Sequence, residues 1–425
     1  MFYHVDDLAI TTAKAGAREY AKISCPIRYG SYDEIRTKDF VFQFNLLGEL
    51  KYIEGRREDW PNPGEWLKRS QGNDWTYYSS GDYEGIVERF GEYYFPCFSY
   101  PSNSIMGDQP FRCKGVQRAL GAAGELMRQI GRVGSRSFPP DIGGFLDRVA
   151  THDPKTLARR AGHLHRLIGS RVSVLPPDAR HADYEVIPLM LADGCLYNCG
   201  FCRVKSGQGL SARSRANVTA QIAGLKGFYG PELRNYNALF LGQHDALHTG
   251  AEMIEFAAEA AYDFLGFAHS LMRRPTLFLF ASADSLLDAE DRVFRSLNET
   301  PFFTYINIGL ESPDGATLKF LKKPISEGKV KDAFARMFEI NRSYERVEVS
   351  ANFVIGLDLP PSHLDSLLQL ARPGGPPCGK GSLYISPIVR NGRTGRAKNR
   401  ALLAQFWSIK AKGILPTFLY LIQRL

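Results

Sequence analysis

The chain has 425 residues, 44% hydrophobic and 23% charged, an ordinary globular composition long enough for more than one core, since single cores stop growing at roughly 250 to 300 residues. Lys and Arg outnumber Asp and Glu by 53 to 45, a formal net charge of +8, which admits an anionic partner such as RNA. No apolar stretch approaches the roughly 20 residues that span a bilayer; the run ILPTFLYLI near the end is too short and contains Pro416, so no membrane partner is expected.

The opening MFYHVDDLAITTAKAG places Asp6 and Asp7 where a secretion signal carries positive charge, which predicts a cytoplasmic protein with reduced thiols. Residues 1–112 read as a mostly β N-terminal domain. Runs such as DFVFQFNLLGELKYIEG and QGNDWTYYSS alternate aromatics between Gly, Asn and Pro, the pattern of hairpins. Tyr93, Tyr94, Phe95, Phe98 and Tyr100 fit either a sheet core or the lining of a substrate cavity. Residues 113–180 turn helical, with apolar residues three and four apart in GVQRALGAAGELMRQIGRV and KTLARRAGHLHRLIG, and read as a helical bridge.

From 181 to 390 short apolar runs (VIPLMLA, NALFLG, TLFLFAS, TYINIGL, SANFVIGL, SLYISP) alternate with helical segments. Six strand and helix units predict an α/β fold, a partial (β/α)6 barrel with a parallel sheet. In the fourth strand Ile306, Ile308 and Leu310 form one row for the helices, and Tyr305, Asn307, Gly309 and Glu311 form a polar inner row. Residues 391–425 begin basic and end apolar, which predicts a C-terminal helical tail. Basic residues concentrate at 155–171 and 390–400, the two places where RNA would bind or where solvent simply covers a charged face.

Seven cysteines are present. Cys25, Cys97, Cys113 and Cys378 are scattered, whereas Cys195, Cys199 and Cys202 cluster in DGCLYNCGFCRVK, so a disulfide framework is not expected. Structural zinc takes four protein ligands, and His244 or Cys378 would have to complete a set of three. Four-iron clusters of electron carriers likewise take four thiolates. Three thiolates leave one iron with an open position, which suits catalysis. Gly194 and Gly200 allow the loop to bend round such a group.

CLYNCGFC resembles the CxxxCxxC signature of the radical S-adenosylmethionine (radical SAM) enzymes, including Phe201 before the last cysteine. INIGLESPDGATLKFLKKP resembles the GxES segment of the subgroup containing the tRNA methylthiotransferases, the oxygen-independent coproporphyrinogen oxidases and the elongator-type enzymes. NFVIGLDLPPSHLDSLL resembles their GLPgE segment, with Asp358 and Leu359 before the proline. The resemblance spans about 184–388. It implies that Cys195, Cys199 and Cys202 ligate a 4Fe-4S cluster and that SAM occupies the free iron. It further implies that Gly242, Gln243, His244 and Asp245 receive the SAM amino group, that Phe201 and the backbone around Val354 and Gly356 hold adenine, and that Ser282, Asn307 and Glu311 face the ribose. Asn352 is a further SAM contact, Arg203 or Lys205 offsets the carboxylate, and an electron donor such as flavodoxin or ferredoxin is the implied partner.

All of these groups follow strand ends, which meet on one face of a parallel barrel. Plainer roles are open for several of them. Asp245 and Glu311 also suit helix caps; His244 and His248 suit a core or a metal; Asn352 suits backbone bonding. The substrate is not legible. No close cysteine grouping offers a second cluster, no βαβ cobalamin domain precedes the barrel, and DALHTG resembles a cobalamin-binding pattern with its histidine one place late. An RNA-binding protein with a structural metal and an iron–sulfur electron-transfer protein are the rival classes.

Overall fold

The structure, a computed structural model, describes residues 1–5, 7–20, 28–79, 90–91, 94–96, 101–106, 110–133, 138–202, 204, 206–372, 379–389 and 395–425. Cys25, Cys97, Cys378, Tyr93, Phe98, Tyr100, Arg203, Lys205 and the basic residues 390–394 lie outside them.

Eight strands, β1 (Phe2–Val5), β2 (Leu8–Ala15), β3 (Ser31–Arg36), β4 (Phe40–Phe44), β5 (Leu50–Gly55), β6 (Trp66–Arg69), β7 (Trp75–Tyr78) and β8 (Tyr94–Pro96), form one antiparallel meander in chain order. Ile10, Ile35, Phe42, Ile53, Leu67 and Tyr77 bury one face of it. The helix Lys114–Val133 meets that face because Val116, Ala119, Ala123, Leu126, Met127 and Ile130 recur at three and four along one stripe. The helix Pro140–Thr151 joins the same core through Phe145, whose ring lies 5.5 Å from that of Phe44. The third helix, Pro154–Leu167, places Leu157 in this core and Leu164 in the next one.

The second core surrounds a seven-stranded sheet in which every neighbouring pair is parallel: β9 (Ile187–Pro188), β12 (Ala238–Asp245), β13 (Thr276–Ala281), β14 (Phe303–Glu311), β15 (Val347–Ile355), β16 (Leu383–Pro387) and β17 (Thr417–Leu419). The fold is therefore mixed α/β. Helices such as Arg215–Tyr229, Ala251–Leu265, Glu327–Ser343 and Ser362–Leu370 follow the strands and cover the row containing Ile306, Ile308 and Leu310, each fully buried. Strand β9 is short because the side chain of Gln221 replaces a strand neighbour: its amide accepts from Met190 N and donates to Met190 O, both at 2.9 Å. Just beyond, β10 (Ala192–Asp193) pairs with β11 (Ser211–Ala212), and this small ribbon holds the two ends of the cysteine loop together.

The sheet has one strand more than the sequence predicts. The terminal segment, expected as helices throughout, forms the helix Arg396–Lys412 and then the edge strand β17. Pro416 is compatible with this because it precedes the strand and needs only its carbonyl, which accepts from Leu383 N at 2.9 Å.

The polar row of the sheet interior closes on a single carboxylate. Asp178, in the 3-10 turn Pro177–Ala182, accepts from Asn307 Nδ2 (3.0 Å), Ser350 Oγ (2.6 Å) and Tyr384 Oη (2.9 Å). Asn307 also exchanges amide bonds with Asn352. Burial pushes the Asp178 carboxyl above its usual range, and these donors oppose that shift.

The meander and the parallel sheet are joined through buried ions. Glu185 accepts from Lys51 at 3.1 Å and Lys68 at 3.0 Å, and from the Tyr236 hydroxyl at 2.9 Å. Burial alone would raise this carboxyl, yet the two ammonium groups outweigh it and hold it down at about 2. Replacing Glu185→Ala strands the buried Lys51 and leaves Lys68 with Asp183 alone, so urea denaturation should show a loss of about 3 kcal/mol. The depressed value also gives a sign. The wild type should lose this contribution as pH falls from the unfolded carboxyl value, about 4.3, toward the folded one.

Candidate active site

A cavity of about 320 Å³ opens at the carboxyl edge of the parallel sheet, lined from β12 through β17 and by the cysteine loop. Its walls include Cys195, Cys199, Phe201, Cys202, Gln243, His244, Asp245, Ser282, Glu311, Asn352 and Val354. Gly242, Asn307 and Gly356 are not among its described lining residues. Strand ends from across the sheet reach one space because the sheet curls round it, as in a partial barrel.

The cysteine loop takes its shape from backbone constraints. Gly194 has φ +84°, and a Cβ there would stand 2.0 Å from the carbonyl oxygen of Gly209; no other residue fits that approach. Asn198, also left-handed at φ +48°, ties the loop internally: its side chain donates to the carbonyls of Cys195 (3.1 Å) and Gln208 (3.2 Å) and accepts from Gly207 N (3.1 Å). Two backbone N–H groups then point at sulfur, Asn198 N at Cys195 Sγ and Val204 N at Cys202 Sγ, both at 3.4 Å. Such donors favour negative charge on the sulfur atoms. Cys199 is 6% exposed; burial pushes its thiol up to about 11 against the opposing pull of Lys323, so loss of its proton needs a stronger positive charge than the chain itself offers.

Among the described residues, no group of three or more His, Cys, Asp or Glu side chains closes on one point as a single-ion shell requires. Three thiols on one wall, with backbone N–H groups aimed at two of the sulfurs, suit the thiolate ligands of an iron–sulfur cluster.

Several expected contacts are engaged elsewhere. Gln243 turns away from the cavity centre: its amide accepts from Ser173 N at 2.8 Å and donates to Arg171 O at 3.0 Å. Asp245 ties strand ends together, accepting from Ser282 N (3.0 Å), Ser285 Oγ (2.6 Å) and His248 N (3.1 Å); it is not the N-cap of the helix Ala251–Leu265, a place taken by Gly250. Ser282 is the N-cap of the helix Ala283–Asp288, accepting from Ser285 N. Asn307 is fully buried in the Asp178 network below the cavity. The Val354 carbonyl accepts from His363 Nε2 at 2.7 Å. Of the histidines, His244 lines the cavity and is held below its usual range, first by burial and also by Arg213, whereas His248 serves Asp245 through its backbone.

Glu311 differs from these in facing the cavity with an ionic partner. It ends β14 with φ +66°, where the register against β15 slips after Gly309. Its side chain folds over Gly309, where a Cβ would meet Oε1 at 2.7 Å, and pairs with the buried Lys323 at 3.3 Å. The Lys323 ammonium lies 4.9 Å from the ring centre of Tyr197. Tyr197 in turn donates to Asp284 Oδ2 at 2.5 Å and accepts from Asp284 N. Sequence reading missed Lys323 and Tyr197; the only sequence signal is that Tyr197 stands inside the cysteine spacing and Lys323 closes the helix after Glu311.

The rest of the GLES segment is locked by His363. Val354 O can only accept, so Nε2 carries the proton and Nδ1 accepts from Ser312 Oγ at 2.8 Å. Burial lowers the affinity of His363 for a second proton.

No family model matches the chain, and no curated protein does. Among solved structures it is similar to a radical SAM methyltransferase from Sphaerobacter thermophilus, at 15% identity over 55% of this chain and 65% of that one, with a TM-score of 0.37. It is similar to Streptococcus suis SuiB bound to S-adenosylmethionine, at 10% identity over 84% and 72% with a TM-score of 0.37, and to methylornithine synthase (PylB), at 10% over 75% and 85% with 0.33. The chain thus spans just under two thirds of the methyltransferase. These likenesses are distant, and the chemistry of the site rests on its own residues.

The lowered His363 value sets a pH dependence. The unfolded chain, with histidines near the ordinary value of about 6.5, takes up this proton first, so stability should fall as pH drops below that value. Urea midpoints at pH 7.5 and pH 5.5 should differ more for the wild type than for His363→Gln, which keeps an amide donor toward Val354 O but has no ring to protonate.

Proposed function

We propose that the chain is a radical SAM enzyme in which Cys195, Cys199 and Cys202 hold a 4Fe-4S cluster. The observation that carries this reading is that the CxxxCxxC loop leaves the first parallel strand and lines one cavity with the polar ends of β12 to β15. The N–H groups aimed at Cys195 and Cys202 suit thiolates. When bound, the cluster supplies one electron for cleavage of SAM to methionine and a 5′-deoxyadenosyl radical, the agent that abstracts hydrogen from substrate.

The chain's own part is binding, orientation and exclusion of water. Burial holds the Cys199 proton on, so binding of iron by this thiol would release a proton. The Gly194 turn and the Asn198 bonds fix the loop before any metal arrives. Glu311, anchored by Lys323, offers one carboxylate oxygen to the cavity, a suitable acceptor for ribose hydroxyls. Phe201 offers an aromatic face to adenine, and His244 and Asn352 offer neutral polar atoms to the amino acid part of SAM. Within the superfamily, the left-handed Glu311 at the end of β14 supports the subgroup marked by the GxES segment. The reaction requires a one-electron donor of the flavodoxin or ferredoxin type. RNA is a second partner reading; in the basic helix Pro154–Leu167, Arg160 is already paired with Glu49 and stacked 4.5 Å from the Phe228 ring centre.

Anaerobic reconstitution with iron and sulfide, followed by dithionite and SAM, should yield 5′-deoxyadenosine with the wild type. Cys199→Ala should lose the cluster and the product with little change in urea midpoint; full retention of iron and sulfide would refute the ligand assignment. Gly194→Ala should lose iron and sulfide although all three thiols react with a maleimide probe once the chain is unfolded in urea, because its Cβ displaces the loop without removing any thiol. Glu311→Gln should keep the cluster and weaken SAM binding by about tenfold, measured by equilibrium dialysis, as befits the loss of one charge-assisted bond.

A further inference from the structure

The cavity extends beyond the residues that the cofactor reading uses. At the far edge of the sheet its wall is built by Pro387, Ile388 and Val389 after β16, by Tyr420 and Ile422 after β17, and by Val174 and Ser102. This wall is held firmly. Asn103 accepts from Ile422 N at 2.9 Å and donates to Ile422 O at 3.1 Å, and Leu175 N donates to Gln423 O at 2.9 Å. The segment 173–175 thereby links the edge beyond β17 to β12, the strand next to the opposite edge, since Ser173 is bonded to Gln243 at the end of β12.

Polarity divides the cavity. Its charged groups, Asp245, Glu311 and Lys323, stand with the cysteines at the ends of β12 to β14, whereas no described lining residue after β16 or β17 carries a charge. The polar atoms on the far wall are the hydroxyls of Ser102, Ser386 and Tyr420, the last donated to Leu175 O at 2.6 Å. Val174, Ile388, Val389 and Ile422 are each only partly buried, so apolar surface faces the space. A charged group placed against it would be desolvated with no ionic partner among the described residues of this wall, at a cost of about several kcal/mol.

We propose that this far wall is the substrate compartment and that it takes a small, uncharged, largely apolar molecule, with the hydroxyls of Ser102 and Ser386 available to an alcohol, carbonyl or amide and the Tyr420 oxygen as an acceptor only. The assignment of this ligand as substrate rests on the radical SAM reading; the chemistry of the compartment does not. The whole cavity, cofactor side included, is about 320 Å³, at the small end of ligand pockets, which run from roughly 300 to 1,000 Å³, so the far wall offers only part of that volume and favours a small molecule over a folded partner.

The test uses three probes of one shape, 4-(trifluoromethyl)benzyl alcohol, 4-(trifluoromethyl)benzoate and 4-(trifluoromethyl)benzylammonium, titrated into the full chain and followed by fluorine NMR. The neutral alcohol should bind at least about tenfold tighter than either ion. Val389→Asp should invert the order in favour of the ammonium probe, a change that misfolding would not produce, and Val389→Leu should keep the wild-type order. Equal or tighter binding of either ion to the wild type, no binding of any probe, or an unchanged order in Val389→Asp would overturn the compartment. Iron and sulfide content of the same reconstituted protein reports separately: selectivity without a cluster supports the compartment and removes the enzyme reading, whereas a cluster without selectivity removes the compartment.

Discussion

The buried carboxylate of Asp178 is the constraint on which the barrel and its cavity depend. A parallel sheet with helices outside needs an apolar outer row, but its inner row here is polar: Asn307, Ser350, Asn352 and Tyr384 stand where a packed barrel would place aliphatic side chains. Each would be costly unpaired. One carboxylate, delivered by a 3-10 turn from before the first parallel strand, accepts from three of them and fixes the fourth through Asn307. The network fills the lower interior and so sets the floor of the cavity above it.

Above that floor the division of labour follows from what each polar group already satisfies. Asp245, Ser282, Gln243 and the Val354 carbonyl hold backbone together, and their bonds keep the strand ends from splaying. The cysteines, Phe201, His244 and the Glu311 pair line the opening. An active site built this way is rigid where it joins strands and available where it meets ligand, as precise positioning demands. The strained φ of Glu311 belongs to the same economy: the left-handed turn and the bare Gly309 aim a carboxylate into the cavity instead of along the strand.

The antiparallel meander is coupled to this barrel through buried charge. Glu185, between Lys51 and Lys68, lies two residues before β9 and hence a short distance in sequence from the cysteine loop. Its ionic bonds orient the entry to the first parallel strand, while the helices Lys114–Val133 and Pro140–Thr151 complete the core of the meander itself.

Much of this was readable from residue order because it depends on local period and spacing. The cysteine spacing, six strands of the parallel sheet and the two rows of β14 all follow from patterns a few residues long. The short apolar run after Pro416 carried no such signal, since three residues of strand look like any buried segment until β16 is present to pair with them. Which polar side chain stays open and which binds its neighbours was likewise a tertiary matter. Asn307 and Glu311 share one face of one strand, yet Asp178, distant in sequence, takes the first into the interior, and Lys323 steadies the second at the cavity. The far wall needed the same long-range closure, joining residues 102, 174, 389 and 422. Sequence by itself determined the elements and the chemical kinds of group that strand ends carry, because period and covalent spacing are local. Tertiary structure alone decided which of those groups meet, because hydrogen bonds and ion pairs depend on distance in space and not along the chain.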